Sequence, residues 1–351
     1  MSRSPIVIGA GGTAGHVVPA LAVADALREQ GAEVTFIGGE RAELELVPAA
    51  GYELRRLKVL PLPRRRPLAA FRAAAVDARA LGGARSMLGE LRPAAALGAG
   101  GYVAGPVGLA AVLARVPLVL MEADSHLGLT NRLLAPAARR VCLAFPLAGR
   151  GSPRYRLTGR PVPPPATDRA AARARFGIGS QETCVLIFGG SQGARSINQA
   201  AVKAFSEPRF RVLHAAGERD LAQLRSPGSH YDLRGYISDF GQALLACDLV
   251  VARAGGSLWE IAAHGRPAVL VPYPHATADH QSANARFMEH AGAAIVIPDT
   301  ELDAARLAGE VEALLSQPER LQAMARASAA LARPQAAEEI AQEVLAAARA
   351  S

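Results

Sequence analysis

Cysteine is scarce in this chain. Cys142, Cys184 and Cys247 are the three in 351 residues, far apart and in no CxxC pair. That spacing excludes a disulfide framework and a cysteine-ligated zinc site, and makes a reducing compartment the expectation. No Asp-x-Asp triplet occurs, and the acidic clusters that would hold a divalent ion against a diphosphate are missing. Long apolar runs are absent too: the longest, Pro106 to Met121, is broken by Arg115 and falls short of the roughly 20 residues a spanning helix needs. Near the N-terminus Ile6-Val-Ile-Gly9 is too short for a signal-peptide core and runs into glycines, so no export signal is expected. Low-complexity composition is missing as well. Half of the residues are hydrophobic and a fifth charged, which excludes a disordered chain.

The length suffices for two domains of roughly 150 residues, each with its own core. Lys and Arg total 39 against 31 Asp and Glu, leaving a net charge of +8 that suits an anionic partner without saying which. Short β-branched runs alternate with Ala/Leu/Arg segments of helical period: Ile6-Val-Ile8, a helix from about Pro19 to Glu29, Val34 to Ile37, Ala94 to Leu97, Leu118 to Leu120, Arg140 to Ala144. Repetition of βαβ units predicts a parallel sheet with crossover helices. Prolines cluster in Leu157-Thr-Gly-Arg-Pro-Val-Pro-Pro-Pro165, and the alternation restarts at Cys184 to Phe188. The expected organisation is an N-terminal Rossmann-like domain over 1–160, a linker over 161–166, a second over 167–333, and a last amphipathic helix over 334–351 that packs back on the first domain. The fold class is α/β, two doubly wound domains facing one another across a cleft.

Both domains open with a strand, a glycine-rich turn and a helix: Gly9-Ala-Gly-Gly-Thr-Ala-Gly-His16 in the first, Gly189-Gly-Ser-Gln-Gly-Ala194 in the second. Such a turn brings backbone N–H groups to a helix N-terminus, where an anion is favoured. The first also satisfies G-x-G-x-x-A, a dinucleotide fingerprint, yet its acidic partner, Glu40, comes later than the usual spacing of about 20 residues. The second matches G-x-S-x-G, a nucleophile elbow, but a serine hydrolase leaves the loop at His16 unexplained. A third turn, Arg253-Ala-Gly-Gly-Ser-Leu-Trp-Glu260, follows a strand and enters a helix. Glu260 there either complements the helix dipole or accepts ribose hydroxyls, while Gly255, Gly256 and Ser257 suit a diphosphate. Gln281 and Asn284 supply amides able to read sugar hydroxyls. Together these elements describe a nucleotide-sugar pocket; an oxidoreductase, a hydrolase and a non-catalytic binder stay open beside it.

Several ordered motifs, Gly11-Gly-Thr-Ala-Gly-His16, Gly98-Ala-Gly-Gly-Tyr-Val-Ala-Gly-Pro106, Gly128-Leu-Thr-Asn131, Thr158-Gly-Arg-Pro-Val162, Gly189 to Ala194, Arg253 to Ser257 and His280-Gln-Ser-Ala-Asn284, resemble the MurG family of glycosyltransferase family 28 over nearly the whole chain. The resemblance implies a GT-B fold and inverting, metal-independent transfer of GlcNAc from UDP-GlcNAc to the C4 hydroxyl of lipid I, giving lipid II, with no cofactor and no nucleic-acid partner. It places the donor on the second domain, with the Ile237 backbone at uracil, Glu260 at the ribose, Ser191 and Gly255 to Ser257 at the diphosphate, and Gln281 at the GlcNAc hydroxyls, Asn284 being a further substrate-binding residue. Thr13, Ala14 and Gly15 face it from the first domain, and His16 is the expected base, with Glu122 or Asp124 as alternatives. Asn131, Arg160 and Pro163 complete the substrate-binding set. Departures from the pattern are Met121-Glu-Ala-Asp124, where an amide becomes Asp124; Thr158-Gly-Arg160-Pro-Val-Pro163, where the arginine after valine is lost; a shortened turn before Glu260; and Ala14 for a glycine. The family also implies a peripheral place on the cytoplasmic face of the plasma membrane and division or wall-synthesis proteins as partners. Residues 57–72, with Arg64, Arg65, Arg66 and Arg72 among apolar neighbours, are the expected contact with anionic inner-leaflet lipids.

Overall fold

The computed structural model describes residues 4–59, 67–190 and 193–350, the side chains of 67–78 and 277 excepted. It divides into two compact units, residues 1–162 with 333–351, and residues 163–332.

The first unit holds a seven-stranded parallel sheet of β1 (Ile6–Gly9), β2 (Val34–Gly38), β3 (Glu53–Arg56), β4 (Ala95–Gly98), β5 (Leu118–Glu122), β6 (Arg140–Leu143) and β7 (Tyr155–Leu157), in the spatial order 3-2-1-4-5-6-7. Strands β1, β4 and β5 are buried along their whole length, as β-branched and small apolar runs covered by helices on both faces must be. The two edges, β3 and β7, were not expected as strands. Their sequences, Glu-Leu-Arg-Arg and Tyr-Arg-Leu, carry no apolar alternation because an edge strand is half solvated. Register pairs Gly9 with Gly98, so the connections after β1 and β4 lie side by side where the strand order reverses.

The first helix runs Ala14–Glu29 and not from Pro19; Val17, Ala20, Val23, Ala24 and Leu27 form its buried stripe. Pro19 lies inside it and cannot donate to the carbonyl four residues back, that of Gly15. Arg160 fills the gap, its Nη2 donating to Gly15 O at 2.5 Å. The last helix, Ala336–Arg349, packs on the first helix and on β4 and β5, burying Ile340, Ala341, Val344 and Ala347. Arg140 and Arg156 clip it through Glu343 at 3.0 and 2.7 Å.

The second unit repeats the plan in six parallel strands: β8 (Cys184–Phe188), β9 (Arg211–Ala215), β10 (Tyr231–Arg234), β11 (Leu249–Ala252), β12 (Ala268–Leu270) and β13 (Ala294–Val296), ordered 10-9-8-11-12-13. Here Phe188 pairs with Ala252, which sets the turns after β8 and β11 next to each other at the reversal point. Apolar clusters cover both faces of each sheet. Among the described residues no helix is long and apolar enough to cross a membrane.

Candidate active site

In the first unit the turn after β1 ends at Thr13, whose carbonyl accepts the N–H groups of His16 and Val17 at 3.0 and 3.2 Å and so starts the helix. Thr13, Ala14 and Gly15 are exposed, and His16 is half-buried behind them. Its Nδ1 lies 3.3 Å from the Thr13 hydroxyl. On the other side the ring rests on the connection after β4: a Cβ on Gly100 would stand 2.6 Å from His16 Cδ2. Burial and then the Arg160 guanidinium push the His16 pKa below its ordinary value, while the charge of Asp124 pulls the other way. The lowering favours the neutral ring, the form able to take a proton.

Glu122 is placed differently. It is 7% exposed, and both carboxylate oxygens accept hydrogen bonds from its own loop: Oε1 from Asp124 N–H at 3.2 Å, Oε2 from Gly128 N–H at 2.8 Å and Asn131 Nδ2 at 2.9 Å. Asn131, also buried, donates to Met121 O as well, at 3.0 Å. Burial raises the Glu122 pKa and the three donors oppose that. The geometry thus has Glu122 and Asn131 shape the 122–131 loop. Asp124, partly exposed in that loop, is the carboxylate whose charge reaches His16.

In the second unit Ser191 lies outside the described residues. The turn around it is bounded by Gly190, at φ +87°, and Gly193, whose N–H donates to Gly190 O at 2.9 Å. A Cβ on Gly193 would run into the carbonyl of Ala216, so this turn and the one after β9 are in backbone contact. Beneath them sits a buried chain of polar groups. Asn198 donates to Ala216 O at 2.8 Å and to Asp220 Oδ2 at 3.1 Å, and meets His214 Nε2 at 3.0 Å; His214 Nδ1 meets the Tyr231 hydroxyl at 2.8 Å. Burial lowers the His214 pKa to about 4.

The turn after β11 is held by Arg253, 8% exposed. Its guanidinium donates to Val271 O, Pro272 O and Asp299 Oδ1 at 3.1, 3.0 and 2.6 Å, and to Ser196 Oγ at 2.8 Å. Gly255, Gly256 and Ser257 are partly exposed above it, and Glu260 falls in the first turn of the helix Leu258–Ala263. Gln281 Nε2 borders the turn, 3.9 Å from where a Gly255 Cβ would stand, and its Oε1 accepts Tyr273 N–H at 2.9 Å. Asn284 is fully buried and donates to Ala254 O at 3.1 Å. Through that carbonyl it supports the turn from behind. Ile237 has its side chain in the core with Phe188 and Leu244, leaving only its backbone for a ligand, while Pro163 is exposed.

Within the first unit the structure thus gathers Thr13, Gly15, His16, Arg160 and Asp124; within the second, Gly255 to Ser257, Gln281 and Asn284. Arg253, Asn198, His214 and Glu43 were not read as site residues. Arg253 heads a motif and invited the question; the others are single polar residues on elements that read as ordinary helix or strand. Among the described residues no group of three His, Cys, Asp or Glu side chains is placed to hold a metal ion.

Residues 6–143 match the glycosyltransferase family 28 N-terminal domain and residues 184–340 the family 28 C-terminal domain. A relative from Moorella thermoacetica, named UDP-N-acetylglucosamine–N-acetylmuramyl-(pentapeptide) pyrophosphoryl-undecaprenol N-acetylglucosamine transferase, is 43% identical over 97% of this chain and 98% of its own. One of the same name from Alkalilimnicola ehrlichii is 44% identical over 98% and 99%. The crystal structure of Acinetobacter baumannii MurG superposes with a TM-score of 0.77 at 27% identity, covering 98% of this chain and 99% of that one. The calicheamicin glycosyltransferase CalG4, 19% identical over 99% of each chain with a TM-score of 0.71, shares the fold.

Proposed function

The chain belongs to glycosyltransferase family 28, and from that premise we propose that it transfers GlcNAc from UDP-GlcNAc to the muramoyl C4 hydroxyl of lipid I, with inversion and without a metal. The observation that carries the reading is the placement of His16: an imidazole at a helix start, 3.3 Å from the Thr13 hydroxyl and packed against Gly100 of the connection after β4, with burial and Arg160 lowering its pKa. In a single displacement the acceptor oxygen attacks the anomeric carbon, its proton passes to His16, and the bond to the diphosphate breaks. Charge grows on the leaving UDP. The turns after β8 and β11, with their helix N-termini, are suited to meet it. Asn284 donates to Ala254 O within the turn after β11, while Arg253 ties that turn to the connection after β12 and Asn198 holds the connection after β9. Ser191, Glu260, Gln281 and the Ile237 backbone complete the donor set in this reading.

The lipid-linked acceptor requires a peripheral place at the membrane. Arg64 to Arg66 of the proposed anionic-lipid segment lie outside the described residues. In the first unit the helices Ala104–Leu113 and Leu129–Leu134 expose Leu109, Leu113, Leu129 and Leu133, which supports contact with a lipid surface.

The test is UDP release from UDP-GlcNAc in metal-chelated buffer, with and without a short-chain lipid I analogue, the product identified by mass. Acceptor-dependent release yielding the disaccharide is expected. Tight UDP binding with no release in either arm would point to another acceptor or a binding role.

A further inference from the structure

Three glycines of the first unit, Gly11, Gly38 and Gly39, crowd around one side chain that no motif contains. Glu43 begins the helix Glu43–Ala49 and is fully buried. Its Oε2 accepts the N–H of Gly12 at 2.8 Å; its Oε1 accepts the N–H of Gly39 at 2.9 Å and the hydroxyl of Tyr102 at 3.3 Å. A Cβ on Gly11 would stand 2.8 Å from Oε1, one on Gly38 2.9 Å from Cγ, and one on Gly39 2.9 Å from Oε1 and 2.5 Å from the Tyr102 hydroxyl. The glycines make the space that the carboxylate fills. All three partners donate, a set that a carboxylate satisfies and an amide does not.

These donors come from three different connections, after β1 (Gly12), β2 (Gly39) and β4 (Tyr102). Two of them hold His16. Gly12, at φ +106°, precedes Thr13, whose carbonyl starts the helix carrying His16; Gly100, against the imidazole, precedes Tyr102 by two residues. One buried carboxylate therefore ties together both walls of the histidine.

We propose that Glu43 is a positioning residue, whose buried carboxylate locks the connections after β1, β2 and β4 into the one arrangement that aims His16 for proton transfer. The proposal rests on the reading of His16 as the base. Glu43 touches no reacting atom; its effect passes through the backbone of Gly12 and the ring of Tyr102.

The test is Glu43→Gln, which keeps size and shape but sets an NH2 against a backbone N–H. A misplacement of about 1 Å costs on the order of 100-fold in rate, so kcat should fall by about that factor. UDP binding, assigned in the proposed reading to the second unit, should stay within about threefold, since no phosphate-binding contact is removed. The His16 imidazole titration, followed by NMR, should move up toward its ordinary value as the loosened loops admit water. A kcat within threefold of wild type, or an unmoved His16 titration, overturns the proposal. So does equal loss of UDP binding and turnover, which marks Glu43 as a fold residue only. Should Glu43→Gln not fold, Gly39→Ala serves: its Cβ displaces the Tyr102 hydroxyl and Oε1 while keeping the carboxylate, and the same fall in kcat with the same His16 shift is expected, wild-type values of either being fatal. If wild-type protein itself releases no UDP with the acceptor, the transferase reading fails, while the His16 titration still decides whether Glu43 positions the ring.

Discussion

The two units brace their sheet connections with different buried side chains. In the first, buried carboxylates take backbone N–H groups: Glu43 those of Gly12 and Gly39, Glu122 those of Asp124 and Gly128. In the second, buried donors take carbonyls: Arg253 those of Val271 and Pro272, Asn198 that of Ala216, Asn284 that of Ala254. In the proposed reading the charged nucleotide belongs to the second unit and the neutral sugar hydroxyl, with its base, to the first.

The sharpest test of that division is His16→Ala. Loss of a general base should cost about 10² to 10⁴ in kcat, with UDP affinity unchanged by calorimetry; a parallel loss of UDP binding would erase the contrast between the units. Arg253→Ala should do the reverse. Removing one member of a buried ion pair costs about 3–5 kcal/mol, here by stranding Asp299 and two carbonyls, so urea unfolding should shift and UDP binding should weaken. His214 offers a pH handle on the second unit alone. Its folded pKa of about 4 lies below the ordinary 6.5, so between those values the unfolded chain holds a proton the folded one lacks. Stability is full above pH 6.5 and falls as pH drops toward 4, by about 3 kcal/mol at most; His214→Gln should flatten that slope in denaturant titrations. Asn284→Ala leaves the Ala254 carbonyl unpaired and should cost about 1–3 kcal/mol, read in UDP affinity and not in the His16 titration. Least of all, Arg160→Ala removes a charge that lowers the His16 pKa, so the acid limb of the kcat profile should move to higher pH; an unmoved limb would mean that His16 is not the titrating base.

Much of the fold was legible because its signals are local. Central strands such as Ile6-Val-Ile8 and Cys184 to Phe188 are continuous apolar runs, and the glycine turns that follow them mark the reversal points of both sheets. The edges β3 and β7 were not legible, since a solvated strand of Glu, Arg and Tyr has no period to detect. Nor was the true start of the first helix. Pro19 reads as a first-turn residue, and only Arg160, remote in sequence, shows how the chain tolerates it within the helix. At the site, the motif residues were legible but not their surroundings: Asn131, Asn284 and Glu122 carry polar groups that a sequence presents as contacts for a ligand, and in the fold each is buried and bonded to the backbone.

Periodicity and turn chemistry are carried by residues a few positions apart, so composition and order alone settle two doubly wound domains with phosphate-suited turns. Which polar side chain faces a ligand and which braces a loop depends on burial and on partners tens of residues away. Glu43 and Tyr102, 59 positions apart, meet only because β1 stands between β2 and β4; the unmet cost of burying a lone carboxylate then decides that every donor within reach must turn to it.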